Sequence, residues 1–265
     1  MHSDTPSPIR LSVGILTKNE ARLIGRCIES AAFADEVIVL DSGSTDNTLE
    51  IARGLGAQTF TSEDWQGFAV QRNRLLTHVR GDYIFFLDAD EIITPELREE
   101  ITRLVRSNDQ GAWRVRWTVI AFGHVLNHFK SNSSMERLFS TALIDHYEGV
   151  VHETAILKTG TSTSRGMLQH RLLHHSRQNI RASLEKLNQY AMLGAAKRLA
   201  AGKKGGVLRG LASATVLFSR TYFFRRAFLD GGPGFLYCFF IALECFFRYA
   251  ALHYDRDLLN DNVGR

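Results

Sequence analysis

The residues of this chain best suited to chemistry are the carboxylates of Phe85-Phe86-Leu87-Asp88-Ala89-Asp90-Glu91, where an apolar run stops at two aspartates one residue apart. Two oxygen donors at a strand end suit a hard cation such as Mg²⁺ or Mn²⁺, which keeps positions open for water and for substrate phosphates. A metal held there would neutralise charge on a departing diphosphate. The same spacing also arises when aspartates merely cap a following helix, so the surrounding elements must decide between the two. Two other polar turns follow short apolar runs: Leu16-Thr17-Lys18-Asn19-Glu20, and Val39-Leu40-Asp41-Ser42-Gly43-Ser44-Thr45-Asp46.

The elements that would position these turns alternate from Leu11 to about Val105, short apolar runs giving way to helix-period segments. That is the pattern of a parallel sheet covered by helices. Strands are expected at Leu11 to Leu16, Glu36 to Asp41, Ala57 to Thr61 and Tyr83 to Asp88. Helices are expected near Glu20 to Ala32, from Ser44 or Thr45 onward behind a hydroxyl cap, and near Pro95 to Arg106. In such sheets ligands bind outside the carboxyl ends of the strands, so the three polar turns would share one crevice. Further β segments are expected at Trp113 to Ala121, Glu136 to Leu143 and Gly166 to His174, followed by a helix from Asn179 to Ala201.

The ordered set of turns resembles family-2 glycosyltransferases of GT-A fold, with their T-x-N-E turn, D-x-G-S-x-D turn and D-x-D; Gln71-Arg72-Asn73 resembles that family's R-N element. The fold implied is α/β, a mixed and mainly parallel Rossmann-like sheet with helices on both faces. Tyr147-Glu148-Gly149-Val150-Val151-His152-Glu153, the segment His174 to Tyr190, and Phe228-Leu229-Asp230-Gly231-Gly232-Pro233-Gly234-Phe235 extend the likeness to bacterial lipopolysaccharide core β-1,4-glucosyltransferases. The tail element departs from that group's pattern at Ala227 and Gly232.

The resemblance implies a UDP-sugar donor, a Mn²⁺ or Mg²⁺ cofactor and a lipid-linked saccharide acceptor. It puts Thr17, Asn19, Glu20, Asp41, Ser42 and Arg72 in the donor-nucleotide pocket. Asp88 would face ribose and metal, Asp90 would bind the metal, and His174 would complete the coordination, with His175 or His152 as alternatives. An inverting transfer needs a base for the acceptor hydroxyl. Glu153 is the candidate, Glu148 and Asp145 come next, and an ion pair of Glu153 with Arg137 is the structural alternative. A nucleotidyltransferase would want a glycine-rich basic loop after the first strand, which Leu16 to Glu20 lacks. A non-catalytic sugar-binding or membrane scaffold of the same fold is the other reading.

Composition bounds the rest. The 265 residues, 45% hydrophobic and 23% charged, suit one folded core with an appendage. Net charge is only +4, yet basic residues crowd the second half, among them Arg181, Lys197, Arg198, Lys203, Lys204, Arg209, Arg220, Arg225 and Arg226. Such asymmetry favours a polyanionic surface, here an anionic membrane and no nucleic acid. The three cysteines make no disulfide framework and the N-terminus has no secretory pattern, so a cytoplasmic protein is expected. Residues 1–202 would form the catalytic domain and 203–265 a membrane-associating region. Its run from Gly231 to Leu243 falls short of the about 20 apolar residues of a span. Two amphipathic helices broken at Gly231-Gly232-Pro233 are expected, lying at the inner face of the cytoplasmic membrane.

Overall fold

A computed structural model describes residues 10–149, 153–158 and 164–259. They form two compact units, one drawn from Met1–Trp117 and Ser133–Leu173, the other from Thr118–Asn132 and His174–Arg265.

In the first unit, β1 (Leu11–Thr17) is buried at every position, as a strand covered on both faces must be. It pairs in parallel with β2 (Glu36–Asp41) on one side and with β4 (Tyr83–Asp88) on the other, and β2 carries β3 (Gln58–Thr61) in parallel at the edge. The short β5 (Glu91–Ile92) follows β4 directly. Next come β6 (Gly111–Ala121), β7 (His124–Val125), β8 (Ser134–Ser140), the pair β9 (Ile144–Glu148) and β10 (Thr154–Leu157), and β11 (Ser164–Arg177). The sheet order is β3-β2-β1-β4-β8-β6-β11-β5, with β8 antiparallel to both β4 and β6.

Successive side chains of a strand face opposite ways, so β4 feeds two cores. Phe85 and Leu87 join Ile24, Cys27 and Ile28 of α1 (Ile24–Ala31) and Leu97, Ile101 and Val105 of α4 (Pro95–Ser107). Ile84 and Phe86 join Ala69 and Leu75 of α3 (Phe68–Leu76), with Phe139 and Tyr147. Helices therefore cover both faces, α2 (Thr48–Gly54) lying between β2 and β3 in sequence. At the amino ends of the strands, Glu36 accepts from Ser12 Oγ (2.5 Å), Arg80 N (2.8 Å) and Arg80 Nε (2.8 Å), tying β1, β2 and the turn before β4 together.

The first helix begins at Ile24 instead of near Glu20 and β11 runs on to Arg177; two further differences have a physical reason. Helix α2 starts at Thr48, because the Ser44 hydroxyl is spent on Asp41 instead of on a helix end. The Glu136 to Leu143 segment stops at Ser140 and turns through Thr141–Leu143.

In the second unit, the end of β6 pairs with β7 through Phe122-Gly123, both at positive φ, the twist of a two-residue hairpin. Asn179 Oδ1 caps α5 (Ile180–Ala200) by accepting from Ala182 N (2.8 Å). Then follow α6 (Val207–Ser219), a π-helical turn (Arg220–Phe224), a 3-10 turn (Ala227–Asp230) and α7 (Gly231–Tyr254). The chain breaks at Arg225–Arg226, and Gly231-Gly232-Pro233 begins α7. Asp230 accepts from His128 N (3.0 Å) and Phe129 N (2.9 Å), which explains the acid in the tail element. Helices α5 and α7 share Ala195, Ala251 and Leu252, and a Cβ on Gly194 would run into Arg248.

Ala227–Tyr254 is long and apolar enough to cross a membrane by length and composition, which corrects the reading that the run from Gly231 to Leu243 is too short for a span. Glu244, however, is buried in an ion pair with Arg177, whose guanidinium also lies 5.6 Å from the Phe240 ring centroid.

Candidate active site

The turns after β1 and β2 are stitched to each other. Asn19 sits in the left-handed region at φ +55, a conformation that asparagine tolerates better than most residues. Its Oδ1 accepts from Thr45 N (2.8 Å) and its N–H donates to Ser44 Oγ (2.8 Å). Glu20 N donates to Thr48 Oγ1 (2.9 Å) and Ala21 N to Asp46 Oδ2 (3.2 Å). Asp41 is fully buried and accepts from Gly43 N (2.9 Å), Ser44 N (2.8 Å) and Ser44 Oγ (2.5 Å). Gly43 closes that turn at φ +87. Ser42 N donates to Thr17 O (2.9 Å), and Ser42 Oγ accepts from Gln71 Nε2 (3.2 Å). Thr17 Oγ1 and Gln71 Oε1 are buried here without a hydrogen-bond partner, an unusual state for buried polar atoms and one that a ligand can relieve.

Asp88 ends β4. Its Oδ1 accepts from Arg137 Nη1 (3.1 Å) and Arg72 Nη2 (3.3 Å), and its Oδ2 from Arg137 Nη2 (2.5 Å). Arg137 also donates to Glu91 Oε1 (2.9 Å), which takes Trp117 Nε1 as well (2.5 Å), while Glu91 Oε2 accepts from Asp88 N (2.9 Å). Behind them the Cys27 thiol is pushed well up, first by burial and then by the charges of Glu91, Asp90, Asp88 and Glu20. The T-x-N-E and D-x-D carboxylates thus act on one spot.

Arg72 Nε holds Glu153 Oε1 at 3.1 Å, so one guanidinium joins Asp88 to Glu153. It lies over Phe86 and Tyr147, 5.0 and 5.7 Å from their ring centroids. Burial drives the Tyr147 phenol far above its ordinary range. Asn73 fixes β9 by exchanging two hydrogen bonds with the Tyr147 backbone (2.7 and 2.9 Å), which explains the second member of the R-N element. A cavity of about 170 Å³ opens beside Glu153, lined among others by Arg72, Arg114, Glu136, Tyr147 and Thr154.

The first unit therefore holds Thr17, Asn19, Glu20, Asp41, Ser42, Arg72, Asp88, Asp90 and Glu153. The partner of Glu153 is Arg72; Arg137 instead serves Asp88 and Glu91. His174 and His175 are half-buried on β11 in the second unit, and His152 lies outside the described residues. Among the described residues no group of three or more His, Cys, Asp or Glu side chains is placed to hold a metal. The donor chemistry of Asp88 and Asp90 still fits Mg²⁺ or Mn²⁺, which one or two carboxylates hold when phosphate oxygens and water supply the rest. Both Asp88 oxygens accept from guanidinium, and Asp90 follows two residues on. Sequence reasoning missed the pairing of Arg137 with Glu91; an arginine directly before the apolar pair Leu138-Phe139 in an expected strand was the available signal.

The model of glycosyl transferase family 2 matches residues 12–152, more than half of the chain. The chain belongs to that family. Relatives span nearly its whole length: a lipopolysaccharide core biosynthesis glycosyltransferase, LpsC of Rhizobium meliloti, is 26% identical over 91% of this chain and 93% of its own. An uncharacterised glycosyltransferase of Rickettsia bellii is 29% identical over 92% of this chain and 86% of its own. Among solved structures, glucosyl-3-phosphoglycerate synthase from Mycobacterium tuberculosis, in complex with Mn²⁺, UDP and phosphoglyceric acid, is 20% identical. It covers 68% of this chain and 74% of its own, with a TM-score of 0.48. The protein is a glycosyltransferase of GT-A fold.

Proposed function

We propose that the protein transfers a sugar, glucose by its resemblance to the lipopolysaccharide core enzymes, from a UDP-sugar to a hydroxyl of a lipid-linked acceptor such as lipopolysaccharide core, with inversion. The observation that carries this reading is the Arg72 bridge, which sets the Asp88 end of the donor turns beside Glu153 and its cavity. The R. meliloti relative, similar over nearly its full length, supports the acceptor class.

The donor nucleotide would rest on the stitched turns, with the buried Thr17 and Gln71 oxygens and the Asp41 turn as its floor. A divalent cation bound at Asp90, with Asp88 facing it, would offset the charge of the leaving diphosphate. The acceptor hydroxyl enters the cavity, and Glu153 takes its proton as the oxygen attacks the anomeric carbon from the side opposite the diphosphate. The new glycosidic bond forms as the bond to the phosphate oxygen breaks, and UDP leaves.

Residues 1–202 would carry this chemistry and 203–265 would hold the enzyme on the cytoplasmic face of an anionic membrane. Leu208 (83% exposed), Leu211, Val216, Phe223 and Phe224 (82% exposed) present apolar surface beside Arg209, Arg220 and Arg225, the makeup of an interfacial segment. Burial of Glu244 against Arg177 favours α7 lying at that interface over its crossing the bilayer. The test is purified full-length protein with Mn²⁺ and a panel of UDP-sugars. Slow UDP release, fastest with UDP-glucose and accelerated by native membranes, is expected. No release from any donor, membranes included, would favour the non-catalytic scaffold.

A further inference from the structure

We propose that Arg137, together with Glu91, is a positioning residue that pre-sets the Asp88 carboxylate for the donor; this rests on the donor reading above. An aspartate at a strand end, as open to solvent as Asp88 (39% exposed), ordinarily rotates among several rotamers. Here it is gripped from inside by a guanidinium only 2% exposed. Both Asp88 oxygens meet the planar fork of Arg137, Nη1 on Oδ1 and Nη2 on Oδ2, a two-point contact that fixes the plane of the carboxylate and that lysine cannot reproduce. Glu91 locks the fork in turn: its Oε1 accepts from Arg137 and from Trp117 Nε1, and its Oε2 accepts from the Asp88 backbone N–H. Side chain and main chain of Asp88 are therefore held by one device.

Stability alone does not call for this arrangement. A buried ion pair is commonly no more stable than apolar residues of the same volume, because desolvation offsets the attraction. What the clamp adds is direction: the outward face of Asp88 is presented in one orientation before the nucleotide arrives, so less ordering remains to be done on binding. Arg137 comes from β8, which runs antiparallel to β4 with Leu138 opposite Phe85, so a side chain of the β-rich half of the first unit reaches the end of β4.

The experiment measures UDP affinity by calorimetry, in EDTA and again with Mn²⁺, for the wild type, Arg137→Lys, Glu91→Gln, Asp88→Asn and the double variant Arg137→Lys/Asp88→Asn. Donor KM and kcat are measured alongside. Arg137→Lys keeps the charge and loses the fork; it is expected to weaken UDP binding about tenfold or more in both buffers, the weight of a lost charge-assisted pair. Donor KM should rise in parallel while kcat changes less than about threefold. In the Asp88→Asn background the same change should alter UDP affinity less than about twofold, because the effect travels through Asp88. Should Arg137→Lys not fold, Glu91→Gln, which keeps the shape of the lock, is expected to weaken UDP binding in the same direction. Wild-type UDP affinity in a folded Arg137→Lys or, failing that, in Glu91→Gln overturns the proposal, as does full additivity with Asp88→Asn. A wild type that binds no UDP overturns the donor reading itself.

Discussion

Arg72 joins Asp88 to Glu153, and substitutions at Asp90, two residues beyond Asp88, and at Glu153 separate the two proposed duties, metal binding and proton abstraction. Asp90→Ala should abolish transfer while leaving the thermal midpoint nearly unchanged, because a half-buried turn carboxylate adds little to packing. Activity above about a tenth of wild type in Mn²⁺ would remove Asp90 from the metal role. Glu153→Gln keeps the shape of its site and should retain UDP binding while turnover falls by about 10² to 10⁴, the span of a missing general base. Normal turnover would move the base to Glu148 or Asp145. The spaced aspartates were legible in the sequence because three motifs occur in order. Arg137 was not, since its contact with Asp88 depends on β8 lying against β4, a pairing between segments about fifty residues apart that no local pattern encodes.

The elements show why the turns after β1 and β2 read so clearly. Asn19, Ser44, Asp46 and Thr48 serve backbone needs that demand those side-chain types, a left-handed residue and acceptors for free N–H groups, so short sequence sufficed to find them. The start of α2 was misjudged for the same reason, because a hydroxyl caps a helix or closes a turn with equal local merit. Asn19→Gly keeps the positive φ and loses only the side-chain bond, whereas Asn19→Ala also strains the backbone, by about 1–2 kcal/mol. Thermal melts should therefore place Asn19→Ala below Asn19→Gly by about 2–8 °C; equal midpoints would deny the strain at this turn.

At the other end of the strands, burial alone would raise the Glu36 carboxyl, but the Ser12 hydroxyl, the Arg80 N–H and the Arg80 guanidinium outweigh it and hold it below the usual range. A carboxyl lowered in the folded state stabilises above its unfolded pKa, and that contribution is lost as pH falls through the folded value. Glu36→Gln should accordingly lower stability at neutral pH and flatten the acid side of the stability profile in denaturant titrations. An unchanged acid slope would show that the three bonds do not bear on stability.

For the whole molecule, the membrane proposal is tested on the full chain. Leu208→Asp/Phe224→Asp removes two exposed apolar contacts without touching the cores, and should reduce sedimentation with anionic liposomes by at least about tenfold while donor hydrolysis continues. Undiminished sedimentation would leave these side chains as ordinary surface. Expectation and packing part company over α5: the sequence sets the long helix apart from the tail by its glycine-rich stretch, but Ala195 and Gly194 of α5 rest on Leu252, Ala251 and Arg248 of α7. That packing has a meaning for genetics. A nonsense mutation near codon 203 deletes the partner of α5 together with the exposed apolar side chains of α6, so its phenotype reports a misfolded product. Missense alleles at Leu208 and Phe224 are the ones that separate attachment from folding.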